Sequence, residues 1–144
     1  VKKYYLQSQI KKHELFNIKL LPYQERKYMP AINLFADFHF IAMDKSVEND
    51  GFPSKIYSIM ASGRPMVVVS SEQTPIINFL KGAHTALLVI DHTVSSFKEA
   101  VLKLEDDKEL RIEMGKNGRK IIEEKFTKVH IIDQYMELIK NLIT

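Results

Sequence analysis

The amino-acid sequence predicts an α/β fold in which a parallel sheet of about four strands is flanked by helices. Short apolar runs alternate with segments of helical periodicity, as in domains where a helix follows each parallel strand. The runs at 38–43 and 66–70 consist almost entirely of apolar residues, which is typical of strands buried on both faces. A length of 144 residues, with no repeat and no linker-like stretch, favours one main domain.

The alternating strands and helices are predicted in the first two thirds of the chain. We expect strands at 18–21, 38–43, 66–70 and 86–90. We expect helices at 1–15, 25–35, 54–62 and 75–80. Pro22 ends the first strand, Pro30 shortens or kinks the second helix, and Gly63 ends the third.

The last third is predicted to be helical. Ser96 with Glu99 three residues later forms a candidate capping box for a helix over 96–104, and Asp107 is a candidate N-cap of the next helix. Gly115 and Gly118 lie inside that helix and each costs about 1 kcal/mol relative to alanine, which leaves open a break of the helix there. An amphipathic helix over 127–143 ends the chain.

Composition excludes several classes of protein. The 21 basic and 18 acidic residues give a formal net charge of +3, but the lysines are scattered, so nucleic acid is not an expected partner. Without cysteine there are no disulfides, thiolate zinc sites or cysteine nucleophiles, and the five histidines lack the spacing of metal ligands. No uncharged run approaches the roughly 20 residues of a membrane span, and no signal peptide is recognised. We therefore expect a cytoplasmic protein without a metal.

One segment, 51–65, combines features of a ligand site. It follows an apolar strand, at the edge where ligands bind in open α/β sheets. Gly51 permits close approach of the backbone, Pro53 fixes the entry to the helix, and Ser54 is a candidate N-cap whose helix amides favour an anion. Lys55 in the first turn opposes the helix dipole by about 0.3–1 kcal/mol, and a bound phosphate would reverse that sign. The alternative, that Ser54 only caps and Lys55 is only solvated, stays open.

Residues 51–70 resemble the donor-binding segment of family 4 glycosyltransferases of the GT-B fold. They are most similar to the bacterial polysaccharide-biosynthesis branch, with its Pro-Ser-Lys start and its Met-Ala-x-Gly-Arg-Pro end. Ala36-Asp37 before a strand, and residues 109–126, also resemble the C-terminal half of that family. The resemblance implies that 1–126 is a partial Rossmann-like, nucleotide-sugar-binding domain, an incomplete C-terminal half of a GT-B fold. Residues 127–144 would be a C-terminal amphipathic helix packed on it.

The same resemblance implies the donor-binding part of a retaining glycosyltransferase. Such an enzyme moves a sugar from a nucleotide-diphosphate sugar to a polysaccharide or lipid-linked acceptor, with no metal or other cofactor. The implied donor-binding residues are Glu48, Asp50, Gly51, Phe52, Pro53, Ser54, Lys55 and Ser58. Asp50 and Ser58 stand where the family usually has two glutamates, of which the second binds the ribose hydroxyls. A serine at the second of these positions lacks about 1–2 kcal/mol of the charge-assisted hydrogen bonding that a glutamate would provide.

Other parts of the family pattern are not found in this sequence. The family half opens with two strands and a glycine-rich turn bearing basic residues, and it works with an acceptor-binding half that carries a catalytic histidine. We therefore expect no catalytic residue in this chain and no catalysis by the chain alone. The alternative function is a non-catalytic nucleotide-sugar-binding subunit, or a truncated α/β module that needs a partner chain.

The expected partners follow from this reading. They are the nucleotide-sugar donor and an N-terminal acceptor-binding half or partner chain, with a homodimer as another arrangement. Contact with a membrane would be peripheral, through a lipid-linked acceptor at its inner face. In the family's strand order the strands not found lie between 18–21 and 38–43. We expect either that these two segments pair directly or that another chain completes the sheet.

Three further sets of residues have competing interpretations. Asp44 at the end of an apolar strand is compatible with a phospho-accepting receiver domain, but the lysine such domains need after their last strand is not present. Arg64 is expected to complement the dipole at the end of its own helix. Glu72, Gln73 and Thr74 follow a strand at the ligand edge, where they either touch a donor or are solvated loop residues.

Overall fold

A computed structural model describes residues 2–46, 49 and 51–143 and confirms the α/β class, with a parallel sheet flanked by helices. The strands are β1 (His39–Ala42), β2 (Met66–Val69) and β3 (Ala86–Val89), which lie side by side in that order. The helices are α1 (Lys2–Lys12), α2 (Met29–Phe35), α3 (Lys55–Ala61), α4 (Pro75–Lys81), α5 (Val94–Asp106), α6 (Lys108–Lys125) and α7 (Lys128–Ile143). A 3-10 turn, Arg26–Tyr28, precedes α2.

The sheet has three strands among the described residues rather than about four. The expected strand at 18–21 is irregular chain, and Leu21 within it is 70% exposed. An apolar run becomes a strand only when a neighbouring strand satisfies its backbone groups, and none does so here. Direct pairing of 18–21 with β1 is therefore wrong.

Burial differs between the strands because of their positions in the sheet. The central strand β2 is buried on both faces, as predicted, through Met66, Val67 and Val68. The same expectation is wrong for β1, where exposed and half-buried residues alternate and Phe40 is 54% exposed. The reason is that β1 is an edge strand, which among the described residues pairs only with β2. The Phe40 ring is contacted by Phe97 of α5 at a centroid distance of 4.8 Å.

The core consists of two clusters, one on each face of β2. Met66 and Val68 pack with buried residues of α3 and α4, a group that includes Ile56, Met60 and Ile77. On the other face Val67 packs with Val89, Leu104 of α5 and Met114 of α6. A parallel strand with cores on both faces positions its carboxyl end firmly, and the loops that follow the strands start from there.

Several helix boundaries differ from the sequence predictions. Helix α5 begins at Val94, capped by Thr93 whose Oγ1 accepts a hydrogen bond from Ser96 N at 3.2 Å, so the capping box at Ser96 is wrong. Asp107 is confirmed as the cap of α6, since its Oδ1 accepts from Leu110 N at 2.8 Å. Pro30 lies in the first turn of α2, where its missing N–H costs nothing, and it shortens that helix without kinking it.

Helix α6 runs without a break through both of its glycines, so the break that the sequence left open does not occur. Gly118 packs against Met60 of α3, with which a Cβ would be in contact at 3.4 Å, and Gly115 lies against the backbone of Gly63. The close contact at Gly115 explains why glycine is used there, whereas the space at Gly118 would accept a Cβ. Among the described residues, no helix is both long and apolar enough to cross a membrane.

Candidate functional site

The carboxyl ends of the three parallel strands bring three loops to one edge of the sheet. The chain segments that leave this edge are 43–54 after β1, 70–74 after β2 and 90–93 after β3. Backbone bonds extend the strand alignment past the strand ends, from Met43 N to Val69 O at 2.9 Å and from Ser70 N to Val89 O at 3.3 Å. The predicted donor-binding segment, 51–65, begins in the first of these loops and continues through α3.

Phe52 anchors the predicted segment by packing against other aromatic side chains. Its ring lies 5.2 Å from Phe79 of α4 in an edge-to-face arrangement and 5.5 Å from Tyr57 of α3. Phe126, directly after α6, closes the group at 5.0 Å from Tyr57. Aromatic pairs at such separations are stabilising beyond their buried area, so this aromatic cluster fixes the loop against three helices.

The start of α3 differs from the predicted cap. Ser54 has helical backbone angles, φ −55° and ψ −19°, and its side chain makes no capping hydrogen bond. The carbonyls of Pro53 and Ser54 accept from Ile56 N and Tyr57 N at 3.0 and 3.2 Å, so those amides are satisfied locally. The side-chain cap at Ser54 is therefore wrong, and fewer amides face outward than predicted. The N–H groups of Ser54 and Lys55 have no acceptor among the described residues.

Gly51 and Lys55 are both exposed at this edge. A Cβ at Gly51 would meet no atom within 4 Å, so nothing in the described fold requires glycine there. Lys55 is the first residue of α3, whose first turn contains no acidic residue. Lys55 pairs with no carboxylate among the described residues, and its charge lies at the positive end of the helix dipole.

Ser58 lies one turn further along α3 and faces a different space. Its Oγ donates to Lys55 O at 2.8 Å, and the residue lines a cavity of about 420 Å³ between α2 and α3. Arg26 and Arg119 also line this cavity, together with Met29 and Pro30. The structure therefore brings 51–55 together at the sheet edge but places Ser58 in the wall of the cavity between α2 and α3. Glu48 and Asp50 lie outside the described residues.

The loop after β2 is held by its own polar groups. Ser70 and Thr74 are buried, with 3.0 Å between their hydroxyl oxygens, and Thr74 Oγ1 donates to Ser71 O at 2.9 Å. Glu72 is directed toward Lys81, whose Nζ is 3.8 Å from Glu72 Oε1. Thr74 therefore stabilises the conformation of this loop through its hydroxyl group.

The loop after β3 contributes two residues that sequence reasoning did not select. His92, in the left-handed region at φ 55°, has its Nε2 3.3 Å from Ser71 Oγ, which links the second and third loops. The Asp91 carboxylate accepts from Ser96 Oγ at 2.6 Å and from Thr93 N at 3.1 Å, and these bonds lower the pKa of Asp91 below its ordinary value. The available signal was positional, because both residues directly follow a strand.

Two arginines complete the surroundings of α3. Arg64 donates through Nε and Nη2 to Leu34 O, at 3.0 and 2.6 Å, so it complements the carboxyl end of α2 and not, as predicted, that of its own helix. At the end of α3, Arg119 Nη1 donates to Ala61 O at 2.9 Å.

In the part of the chain that the structure describes, no cluster of three or more histidine, aspartate or glutamate side chains could hold a metal ion.

Comparison with known families settles the membership of the chain. A family model described as "Glycosyl transferases group 1" matches residues 1–121. The chain belongs to the group 1 glycosyltransferases. The matched residues include all three strands and the predicted donor-binding segment, and proteins of this family transfer glycosyl groups from nucleotide-sugar donors. No curated protein and no solved structure showed a significant match to the chain.

Proposed function

We propose that this glycosyltransferase domain binds the diphosphate and sugar of its donor at the carboxyl edge of the sheet, over residues 51–55. The start of α3 supplies the charge: the amides of Ser54 and Lys55 and the Lys55 ammonium group lie at the positive end of the helix. These groups would stabilise the negative charge that builds on the departing diphosphate, which is an electrostatic role of the oxyanion-hole type.

The observation that carries this proposal is the free space at Gly51. The described fold leaves open space where its side chain would be, so glycine there keeps the backbone accessible four residues before Lys55, a cation with no ion-pair partner among the described residues. The aromatic cluster around Phe52 makes the loop rigid, which lowers the entropic cost of binding. Phe52 thus contributes to donor binding by holding the loop.

Ser58 supports a place for the nucleoside. The cavity that it lines has both apolar walls, from Met29 and Pro30, and cationic groups from Arg26 and Arg119. Its volume of about 420 Å³ lies in the range of small-molecule sites, roughly 300–1,000 Å³. We assign the ribose and base of the donor to this cavity, with Ser58 as a neutral partner of the ribose, and Glu48 and Asp50 to the sugar.

The finer features of the family 4 branch complete the proposal. They are a GT-B architecture, a retaining reaction without a metal, a polysaccharide or lipid-linked acceptor, and a cytoplasmic location at the inner face of a bacterial membrane. Residues 1–126 would form the donor-binding unit and 127–144 an accessory helix. An acceptor-binding half, in the same protein or in a partner chain, would complete the enzyme. The alternative is a subunit that binds the donor without catalysis.

Titration with UDP and with a panel of nucleotide-sugars tests the proposal. We expect saturable binding with a Kd of roughly millimolar to tens of micromolar, about 4–7 kcal/mol of binding free energy. Chemical-shift mapping should place the changes at 51–58 and near 21–23. Changes confined to α6 and α7 would show that the ligand binds elsewhere and would overturn the assignment of the donor site.

A further inference from the structure

A second cavity, which we call the basic groove, lies along α6 near the amino ends of the strands. It has a volume of about 380 Å³, and its walls come from Asp37 before β1, from Gly63 and Arg64 before β2, and from one face of α6. The candidate donor site lies at the opposite, carboxyl edge of the sheet. Arg119 lines both this groove and the cavity beside Ser58, so the two cavities adjoin, but the proposed function uses no other residue of the groove lining.

The charged side chains that line this groove are mostly cationic. Its cationic side chains are Arg64, Lys108, Arg111, Lys116, Arg119 and Lys120. Only two acidic residues, Asp37 and Glu123, line it. One of them is already engaged, because Glu123 Oε1 accepts from Arg119 Nε at 2.7 Å. The groove thus has a large excess of positive charge in a concave space.

The three arginines are held in place by the ends of three helices. Arg64 donates to Leu34 O near the end of α2, Arg119 to Ala61 O at the end of α3, and Arg111 Nη1 to Leu104 O and Glu105 O near the end of α5. These bonds leave Arg64 Nη1, Arg111 Nη2 and Arg119 Nη2 without an acceptor among the described residues. Preorganised guanidinium groups with free N–H donors match the geometry of phosphate oxygens.

The lysines have no such structural explanation. Lys108 and Lys116 are exposed and make no ion pair with the carboxylates that the structure describes, and Lys120 has only a 3.8 Å contact with Glu124. Lys116 and Lys120 are four residues apart on one helix face, where like charges repel. An anion in the groove would convert this repulsion into attraction.

We propose that the basic groove binds a small anion that carries two or more phosphate groups. Several phosphate groups can be held at once because the cationic side chains extend from Lys108 to Lys120, twelve residues or about 18 Å along α6. The volume of about 380 Å³ is that of a small-molecule site. The concave shape favours a free phosphorylated molecule over the flat surface of an anionic bilayer.

Isothermal titration of the full chain with tripolyphosphate tests this site. The variant Lys108→Ala/Lys116→Ala removes the two lysines without a structural partner, and Lys98→Ala/Lys103→Ala on α5 is the matched control with the same change of charge. We expect the groove variant to bind about tenfold more weakly, as for the loss of one charge-assisted bond, and the control to stay within about twofold. Equal weakening in both variants, or no saturable binding, would overturn the proposal.

Two further experiments distinguish a free phosphorylated ligand from lipid headgroups, and the basic groove from the donor site. Binding to lipid headgroups is tested with vesicles of phosphatidylcholine and phosphatidylglycerol, compared with vesicles of phosphatidylcholine alone. Binding to the anionic vesicles without binding of tripolyphosphate would overturn the proposal. UDP binding should be unchanged in the groove variant, whereas Lys55→Ala should weaken UDP binding and leave the groove-dependent tripolyphosphate binding intact. The basic groove and the donor site can therefore fail independently of each other.

Discussion

The backbones of Gly63 and Gly115 are in direct contact. A Cβ built on Gly115 would lie 2.0 Å from the carbonyl oxygen of Gly63 and 2.8 Å from its carbonyl carbon. Gly63 itself has φ +67°, a conformation that favours glycine, directly after α3 has ended. The two glycines therefore set the distance between α3 and α6, and with it the form of the basic groove.

Substitution of Gly115 by alanine should destabilise the protein by about 2–3 kcal/mol. The added methyl group overlaps backbone atoms that cannot rotate away, and this overpacking outweighs the gain of about 1 kcal/mol in helix propensity. Urea unfolding followed by circular dichroism measures the change in the free energy of unfolding.

Gly118→Ala is the matched control, because it lies in the same helix. Its Cβ would meet Met60 at 3.4 Å, an ordinary van der Waals contact. We expect unchanged or slightly raised stability. Equal losses in both variants would mean that the contact between the two glycine backbones is not what requires glycine at 115.

Helix α6 shows what sequence patterns can and cannot predict. Asp107 was recognised as its cap because the signal is local, a short acceptor side chain before a periodic run. The role of Gly115 could not be predicted, since its partner Gly63 is distant in sequence and only the packing of two helices brings them together. Local propensity alone therefore left open a break of the helix where the structure has a tight contact.

The strands, like helix α6, were predictable only where the deciding signal is local in sequence. The apolar runs of β1, β2 and β3 predicted the three strands, because burial against a core leaves a local pattern in the sequence. The run at 18–21 has the same pattern and forms no strand, because a strand also needs a neighbour to pair with. At the site, the sequence identified Gly51 and Lys55, but it assigned Ser54 a cap that the helical backbone at this residue does not form.

Substitution of Lys55 by alanine should weaken the binding of UDP several-fold. The ammonium group would share the diphosphate with the amides at the start of α3, and its removal loses a charge-assisted interaction. Stability should be unchanged or raised by about 0.3–1 kcal/mol, because a cation at a helix N-terminus opposes the dipole.

Titration of UDP into Lys55→Ala and into Lys98→Ala, an exposed lysine of α5, measures this effect. The control should bind UDP like the parent. A Lys55 variant that binds UDP as well as the parent but melts several degrees lower would show that Lys55 has a structural role.

Asp91 should make the stability of the protein depend on pH. Hydrogen bonds from Ser96 Oγ and then from Thr93 N hold the pKa of Asp91 below its ordinary value, so the folded state favours the ionised carboxylate. The resulting stabilisation is fully present above the unfolded pKa of about 3.9 and is lost as the pH falls through the lower folded pKa.

Asp91→Asn should therefore lower the Tm at pH 7, and the difference from the parent should shrink as the pH falls below about 4. Thermal unfolding between neutral and acidic pH measures both values. The control is Asp133→Asn, an exposed residue of α7. The same Tm difference at every pH would contradict the role of the ionised carboxylate.

The outer edge of β1 offers backbone groups to another strand. His39 N donates to Pro65 O at 3.0 Å and Met43 N to Val69 O at 2.9 Å, both toward β2. Alternate residues of a parallel strand direct their N–H groups to opposite sides, so those of Phe40 and Ala42 point to the open edge. An edge with an exposed phenylalanine is a template for pairing with another chain, which natural proteins cover or pair.

We expect the chain to associate through this edge, and Ala42→Pro tests the expectation. Proline at 42 removes an N–H from the open edge and none from the ladder with β2, and proline is tolerated on edge strands. Light scattering should give a mass above the 16.7 kDa monomer for the parent, and the monomer mass for Ala42→Pro. Ala42→Thr keeps the N–H and the preference for strand, so it should associate like the parent. A parent that remains a 16.7 kDa monomer at high concentration would contradict the completion of the sheet by a second chain.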